Sequence, residues 1–350
     1  FIKSDIEKAI HYFELAANQN HIQAQNILGS IYLKGELIKQ DIDKAIHYFE
    51  LAASQNDSNA QDRLGSIYID ERYGKKDINK AFYYFIQSAN QNNPNAQCNL
   101  GFLYIENIFI KQDINKAIHY FKLAANQNYP SALNILGLYY LEVKFIKQDV
   151  NKAIKYFTLA ANQNYSYAQN NLGAIYFEGN FIKQDINKAI YFFTLSANQN
   201  NVLAQNNLGI FYLEGKYVDQ NINKAIEYFT YAANQNFTEA QNALGLIFLE
   251  GKYVKTDINK AIYYFTLSAN QNDPQGYYNL GDIYYNAKYK DRDINKAIYF
   301  FSFAAKFNVP EAQYNLGEIY YNGKYVLKDI NKAIYYFELA AKNDYSKAYL

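Results

Sequence analysis

The side chains with which this chain could do chemistry are few in kind: four histidines, one cysteine, and many carboxylates, lysines and asparagines. A metal site needs ligands gathered by spacing, and His11, His21, His47 and His119 are too few and too scattered for that. His11, His47 and His119 share one position of a recurring pattern, which reads as a solvated helix face. Cys98 stands alone, so no intrachain disulfide can form, and it reads as an inert residue. No serine elbow occurs, and neither G-x-G-x-x-G nor G-x-x-x-x-G-K-[S/T] is present. No pair of carboxylates is placed by anything but the recurring pattern. A catalytic site is normally unique in a chain, and here almost nothing is unique. The expectation is a protein that is not an enzyme, with no metal, no cofactor and no small-molecule substrate.

What recurs is a thirty-letter phrase. "DINKAIHYFKLAANQNYPSALNILGLYYLE" (Asp113 to Glu142) returns 36 residues later as "DVNKAIKYFTLAANQNYSYAQNNLGAIYFE", and 36 later again as "DINKAIYFFTLSANQNNVLAQNNLGIFYLE". With its first Asp as position 1, units begin at Asp5, Asp41, Asp77, Asp113, Asp149, Asp185, Asn221, Asp257, Asp293 and Asp329. Every interval is 36, which gives nine full units and a truncated tenth across residues 1–350. Position 4 is always Lys, position 5 always Ala and position 9 always Phe. Positions 24 and 25 are Leu-Gly in all nine full units, from Leu28-Gly29 to Leu316-Gly317.

Each unit reads as two helices. Apolar residues at positions 2, 5, 6, 9, 12 and 13 mark one face of a first helix. The position-1 Asp is its predicted N-cap, and the Lys at position 4 is expected to pair with that Asp. Asn at position 16 is suited to the left-handed conformation that ends a helix. The second helix runs from position 18 to about position 30. All four prolines, Pro94, Pro130, Pro274 and Pro310, fall at position 18, where a first turn tolerates them. Gly at position 25 costs about 1 kcal/mol against Ala inside a helix. Its recurrence predicts close approach of a partner helix, with the position-9 Phe nearby. One such pair cannot bury both apolar faces, so neighbours must stack. The fold class expected is all-α: an α-solenoid of antiparallel helix pairs forming a curved superhelix.

Composition narrows the function. A formal net charge of +1 gives no electrostatic footprint for nucleic acid or an anionic membrane. No apolar run reaches the roughly 18–20 residues a membrane helix needs. Neither a signal peptide nor a disulfide framework is visible, which favours the cytoplasm, although the first residue is Phe1 and a removed leader stays open. Tyr is the commonest aromatic, Asn and Lys are abundant, and Trp and Met are absent. That bias reports on A+T-rich codons as much as on function.

At this point the letters match a family. "A-x3-L-G-x2-Y-x2-G", a short loop, then "D-x2-K-A-x2-Y-F-x2-A-A" resembles the Sel1-like repeat, the 36-residue relative of the tetratricopeptide repeat. Residues Ala168 to Asn200 carry the whole pattern, and the resemblance covers essentially the full chain. The second Gly, at position 31, departs in some units: Glu71, Asn107, Val143 and Ala287 replace it. The resemblance implies a non-catalytic scaffold or adaptor that binds a partner protein or an extended peptide on the concave face of the solenoid.

By the same resemblance, positions 19, 22, 23, 26 and 30 of the second helix line that face. The candidate partner-binding residues are Asn134, Asn170, Asn206 and Asn242 at position 22, Asn171 and Asn207 at position 23, and Glu142, Glu178 and Glu214 at position 30. An Asn ladder can donate to and accept from the backbone of an extended peptide at regular steps. The position-30 acids, Asp70 and Glu106 among them, read either as an acidic stripe for a basic peptide or as structural partners of the position-35 lysines, such as Lys75 and Lys183. The alternative function is the regulatory or targeting arm of a larger enzyme such as a protein kinase. "FIKSD" at the start copies the "FIKQD" that closes later units, and "SKAYL" stops inside a second helix, so both ends read as cut from a longer chain.

Overall fold

The computed structural model describes residues 2–105, 111–142, 147–288 and 291–349. Among them the regular structure is nineteen α-helices and two short 3-10 turns, with no strand. By their contacts the residues divide into two compact units, 1–172 and 173–350. The first helices of the repeats are α1 (Ile2–Asn18), α3 (Ile42–Ser54), α5 (Ile78–Asn90), α7 (Ile114–Asn126) and α9 (Val150–Ala161), then α11 (Ile186–Ala197), α13 (Ile222–Asn234), α15 (Ile258–Ala269), α17 (Ile294–Lys306) and α19 (Ile330–Lys342). They alternate with the second helices: α2 (Ile22–Lys34), α4 (Ser58–Ile69), α6 (Pro94–Ile105), α8 (Pro130–Leu141) and α10 (Ser166–Glu178), then α12 (Val202–Glu214), α14 (Thr238–Glu250), α16 (Pro274–Tyr285) and α18 (Pro310–Asn322). Within each unit consecutive helices pack side by side, an all-α solenoid of helix pairs.

The ends of the helices follow from single residues. Asp41, Asp77, Asp113 and their counterparts accept the N–H three residues on, at 3.0 Å in each of these three. Asn221 does the same for Lys224. Asp5 differs, because α1 already begins at Ile2 and carries Asp5 in its first turn. The position-16 Asn is left-handed throughout, with φ between 56° at Asn128 and 66° at Asn56, and Asp344 takes its place in the last unit. Around it the chain closes a Schellman turn: Asn56 N–H donates to the Ala53 carbonyl and Asp57 N–H to that of Ala52. The four prolines each open a second helix. Gly35, Gly179, Gly215, Gly251 and Gly323 are left-handed just after their helices. Where Glu71 replaces this glycine, Asp70 caps a 3-10 turn (Glu71–Tyr73) and Gly74 supplies the positive φ three residues later. Glu106, Asn107 and Val143 lie outside the described residues.

The tightest seam joins each second helix to the first helix of the next repeat. A Cβ at Gly137 would sit 2.6 Å from the Phe157 ring, and one at Gly209 would sit 2.7 Å from the Phe229 ring. That explains the helix-interior glycine: only the absence of a side chain lets the ring lie flat on the backbone. The rings are fully buried, each removal from water being worth roughly 1.5–3 kcal/mol.

A second motif explains the invariant lysine. In each of the nine pairs an aromatic at position 28 stacks on the position-8 aromatic of the next repeat, as Tyr140 on Tyr156 at 5.7 Å and Tyr212 on Tyr228 at 5.8 Å. The position-4 Lys lies over the same position-28 ring: Lys152 over Tyr140 at 5.2 Å, Lys224 over Tyr212 at 4.9 Å. The expected pairing with the capping Asp is also present, from 3.2 Å for Lys152–Asp149 to 3.9 Å for Lys116–Asp113, on exposed side chains.

A third motif is buried and polar. Gln at position 21 donates to the position-13 carbonyl eight residues back, as Gln25 to Ala17 and Gln241 to Ala233, both at 3.1 Å. Its own carbonyl accepts from the position-15 amide of the next repeat: Gln55 to Gln25 at 2.8 Å, Gln271 to Gln241 at 2.9 Å. The position-21 glutamines are almost wholly buried, and each amide–amide bond joins two repeats.

Candidate interaction face

Helix geometry puts positions 19, 22, 23, 26 and 30 on one arc of each second helix. Packing divides that arc. Positions 19 and 30 are mostly exposed, 26 is half-buried or exposed, 23 ranges from exposed at Ile27 to buried at Ile135 and Asn279, and 22 is the inner edge, buried at Asp62, Cys98, Asn134, Asn170 and Asn242 and half-buried in the other units. Asn134, Asn170 and Asn242 are accordingly 7%, 8% and 8% exposed. Two of the three use their amides between repeats: Asn171 Nδ2 donates to Asn134 Oδ1 at 2.9 Å, and Asn242 Nδ2 to Asp273 Oδ2 at 2.8 Å, while Asn170 Oδ1 has no partner. Asn99 makes the equivalent bond to Asp62 at 3.0 Å. Asn171, Asn206 and Asn207 are half-buried.

Glu142, Glu178 and Glu214 are exposed. No salt bridge joins a position-30 acid to a position-35 lysine among the described residues. Lys75 pairs instead with Asp43 on α3, and Asp70 is held by Arg72 at 2.6 Å. Of the two readings of these acids, the structural pairing with the position-35 lysines is therefore not formed among the described residues. Glu106 lies outside the described residues.

What sequence reading passed over is the apolar part of the face. Phe102, Ile210 and Leu246 stand at position 26, Ile27 at position 23, and Tyr167 and Leu203 at position 19, all exposed. Below them lies one chemical departure. Asp62 replaces the usual Asn, is buried, and has its carboxyl pushed up to about 6 by desolvation, against the opposing pull of the Asn99 hydrogen bond. Cys98 beside it is buried, and its thiol is pushed up to about 12, which leaves it an unreactive thiol. His11, His47 and His119 are exposed on the first helices, the last two edge-on to Tyr48 and Tyr120. Among the described residues no group of His, Cys, Asp or Glu could hold a metal ion, and no helix is long and apolar enough to cross a membrane.

Helix pairs joined Gly-on-Phe at a 36-residue period define a tetratricopeptide-like helical-repeat protein. The Sel1 repeat model matches ten times, at residues 1–21, 22–57, 58–93, 94–129, 130–165, 166–201, 202–237, 238–273, 274–306 and 310–345. The chain belongs to the Sel1 repeat family. Its phase starts each repeat at the second helix, so that the glycine and the phenylalanine of one seam fall in one repeat. Among solved structures it is similar to a Sel1 repeat protein from Oxalobacter formigenes, with 26% identity, a TM-score of 0.65, and 91% of each chain covered. It is also similar to c5321, a protective antigen of uropathogenic Escherichia coli with an SLR fold, with 26% identity, a TM-score of 0.63, and 97% of this chain and 80% of that one covered. No curated protein matches it. Sel1 repeat proteins are generally protein-interaction scaffolds and typically non-catalytic.

Proposed function

We propose that this chain is a scaffold that takes a partner protein or extended peptide along the exposed arc of its second helices, the concave face implied by the family pattern. The observation that carries this is the recurrence of exposed apolar side chains at one place of the arc: Phe102, Ile210 and Leu246 at position 26. Single exposed hydrophobics need no explanation, but Ile210 and Leu246 stand at the same place on α12 and α14 of the second unit and make one apolar patch, and Phe102 holds that place on α6 of the first. On the same arc, Asn206 and Asn207 offer amides to a partner backbone, Asn171 offers its amide oxygen, and Glu142, Glu178 and Glu214 stand exposed at the helix ends. Asn134, Asn170 and Asn242 act as the floor, fixing the spacing of the helices beneath. The near-neutral charge supports a protein partner over nucleic acid.

The first helices carry a rival row, Tyr83, Tyr191, Tyr263, Tyr299 and Tyr335, all exposed. A photo-crosslinking residue placed at 210 or 246 is expected to capture a specific partner, and one placed at 191 or 263 is not. Capture from the tyrosine row alone would overturn the assignment.

A further inference from the structure

The face of the second compact unit has a chemistry of its own. On α12, α14, α16 and α18 the five positions of the arc hold Glu214, Glu239, Glu250, Asp282, Glu311 and Glu318, and no lysine, arginine or histidine. This is a strongly acidic strip on a chain whose net charge is +1. The acids are not evenly offset. Glu214 and Glu250 have Lys216 and Lys252 close by. Asp282, Glu311 and Glu318 belong to no salt bridge among the described residues. Glu318 shares the wall of a cavity of about 710 Å³ with Tyr314 and Tyr321, and Lys347 from the following 3-10 turn is the basic side chain there.

The strip is also polarised along its length. Its exposed apolar side chains, Leu203, Ile210 and Leu246, are all on α12 and α14. On α16 and α18 the position-26 residues are Asp282 and Glu318, half-buried, and the position-22 residues are tyrosines. Burial raises the Asp282 carboxyl above its ordinary range, which a nearby cation would reverse.

An independent feature marks the junction of the two halves. Asn242 on α14 and Asn279 on α16 occupy the places whose counterparts bond to each other in the first unit, Asn99 to Asp62 and Asn171 to Asn134. Here that bond is missing. Asn242 donates to Asp273 and Asn279 accepts from Gln275, so Asn242 Oδ1 and Asn279 Nδ2 are left without a partner. Both residues are more than nine-tenths buried, at 8% and 6% exposure. An unmatched buried polar atom is costly. One free acceptor and one free donor are together the complement of a single peptide group, which offers N–H and C=O.

We infer that this strip binds an extended protein segment with two unlike ends. Its apolar side chains lie on α12 and α14, its lysines or arginines lie against Asp282, Glu311 and Glu318, and the peptide group between them settles into the α14–α16 seam to satisfy Asn242 and Asn279. This rests on the scaffold reading above and adds the partner's chemistry. The charges give specificity and association rate, and the apolar contacts and the peptide group give affinity.

The test is selection of binders to the full chain from a random displayed-peptide library, followed by titration of the enriched peptides, fluorescently labelled, by anisotropy. Enriched peptides are expected to carry two or more Lys or Arg to one side of an apolar run. Their affinity should fall at least tenfold in the D282N/E311Q/E318Q variant and severalfold in N279A, and should weaken with added salt. Peptides without basic residues, or affinity unchanged in the charge-neutralised variant, overturn the inference. If such peptides are still lost on L246D, the scaffold face stands and only the charge assignment fails. If they survive L246D as well, both readings fail, and a library that yields no binder counts against both.

Discussion

Replacing Gly137 by alanine sets two effects of known sign against each other. In an exposed helix interior, Gly→Ala stabilises by about 1 kcal/mol, because alanine loses less backbone entropy. Here the new Cβ would lie 2.6, 2.7 and 2.8 Å from Cε1, Cδ1 and Cζ of Phe157, whereas ordinary contact begins at 3.4 Å. The ring must retreat by about 0.8 Å, the difference between 3.4 and 2.6 Å. It has nowhere to go, since Phe157 is 0% exposed in a close-packed seam. Overpacking of this kind costs about 1–3 kcal/mol. The propensity gain of about 1 kcal/mol offsets part of that, leaving a net loss of roughly 0–2 kcal/mol by the same figures. Urea unfolding followed by circular dichroism reads the total, and amide exchange should show the loss concentrated in α8 and α9, because repeats couple to their nearest neighbours. The companion variant is Phe157→Leu, which removes the flat ring. In the double variant the clash is gone, so the two changes should be non-additive by about 1–3 kcal/mol in the stabilising direction. A Gly137→Ala that stabilises by the full ~1 kcal/mol of an exposed helix site, or strict additivity, would refute the idea that the ring is what keeps the glycine.

The buried acid makes a pH prediction. The Asp62 carboxyl is raised in the folded chain to about 6 from 3.8, so the fold holds this proton more tightly than the unfolded chain does. Its contribution is fully present below about pH 4 and is lost as pH rises through 6, a total on the order of 3 kcal/mol for about two pKa units. Asp62→Asn keeps an acceptor for Asn99 and removes the charge, so thermal melts should show it more stable than the parent at pH 7.5 and flatter between pH 4 and 6; an unaltered slope refutes the assignment. The glutamine ladder makes another: Gln241→Leu removes two hydrogen bonds, to the Ala233 carbonyl and from the Gln271 amide, for about 1–3 kcal/mol in all, with faster amide exchange where α14 meets α15. Unchanged exchange there would show that the ladder is incidental.

Much of the fold was legible because single residues met local backbone demands. The Asp caps, the Pro starts and the left-handed Asn stops each answer to a few neighbouring peptides, and the structure places them as the sequence pattern requires. The Gly–Phe seam could be anticipated as well, since a costly glycine at one fixed place needs a bulky neighbour at another. What stayed hidden depends on which surfaces meet. The invariant lysine was assigned to the capping Asp, and that pair exists, but the aromatic it covers is twelve residues upstream on another helix, as Tyr140 is to Lys152. Reading position 22 as open placed an amide ladder in the groove. A second helix packed on both sides buries more than half of its circumference, and that takes in the edge where Asn134 and Asn170 lie.

The buried amide ladder is one position earlier, in glutamines that any composition rule assigns to solvent. Its signal was nevertheless in the sequence, in the places where the ladder breaks. Leu133 has no amide to offer, and Gln163, which would have reached it, donates instead to the Asn128 carbonyl at 2.9 Å. Where position 21 is Tyr277, the position-15 residue of the next repeat is Phe307, and the two rings stack at 6.4 Å. Asn343 replaces the last glutamine of the series and still donates to Gln313 at 3.0 Å. At Tyr277 and Phe307 position 21 and the position 15 that follows it by 30 residues change together, from amide–amide to ring–ring, whereas at Leu133 only one of the two changes and the bond is lost. In a chain of ten near-copies, such paired departures do the work of an alignment, and they mark contact between repeats more surely than the letters that never vary.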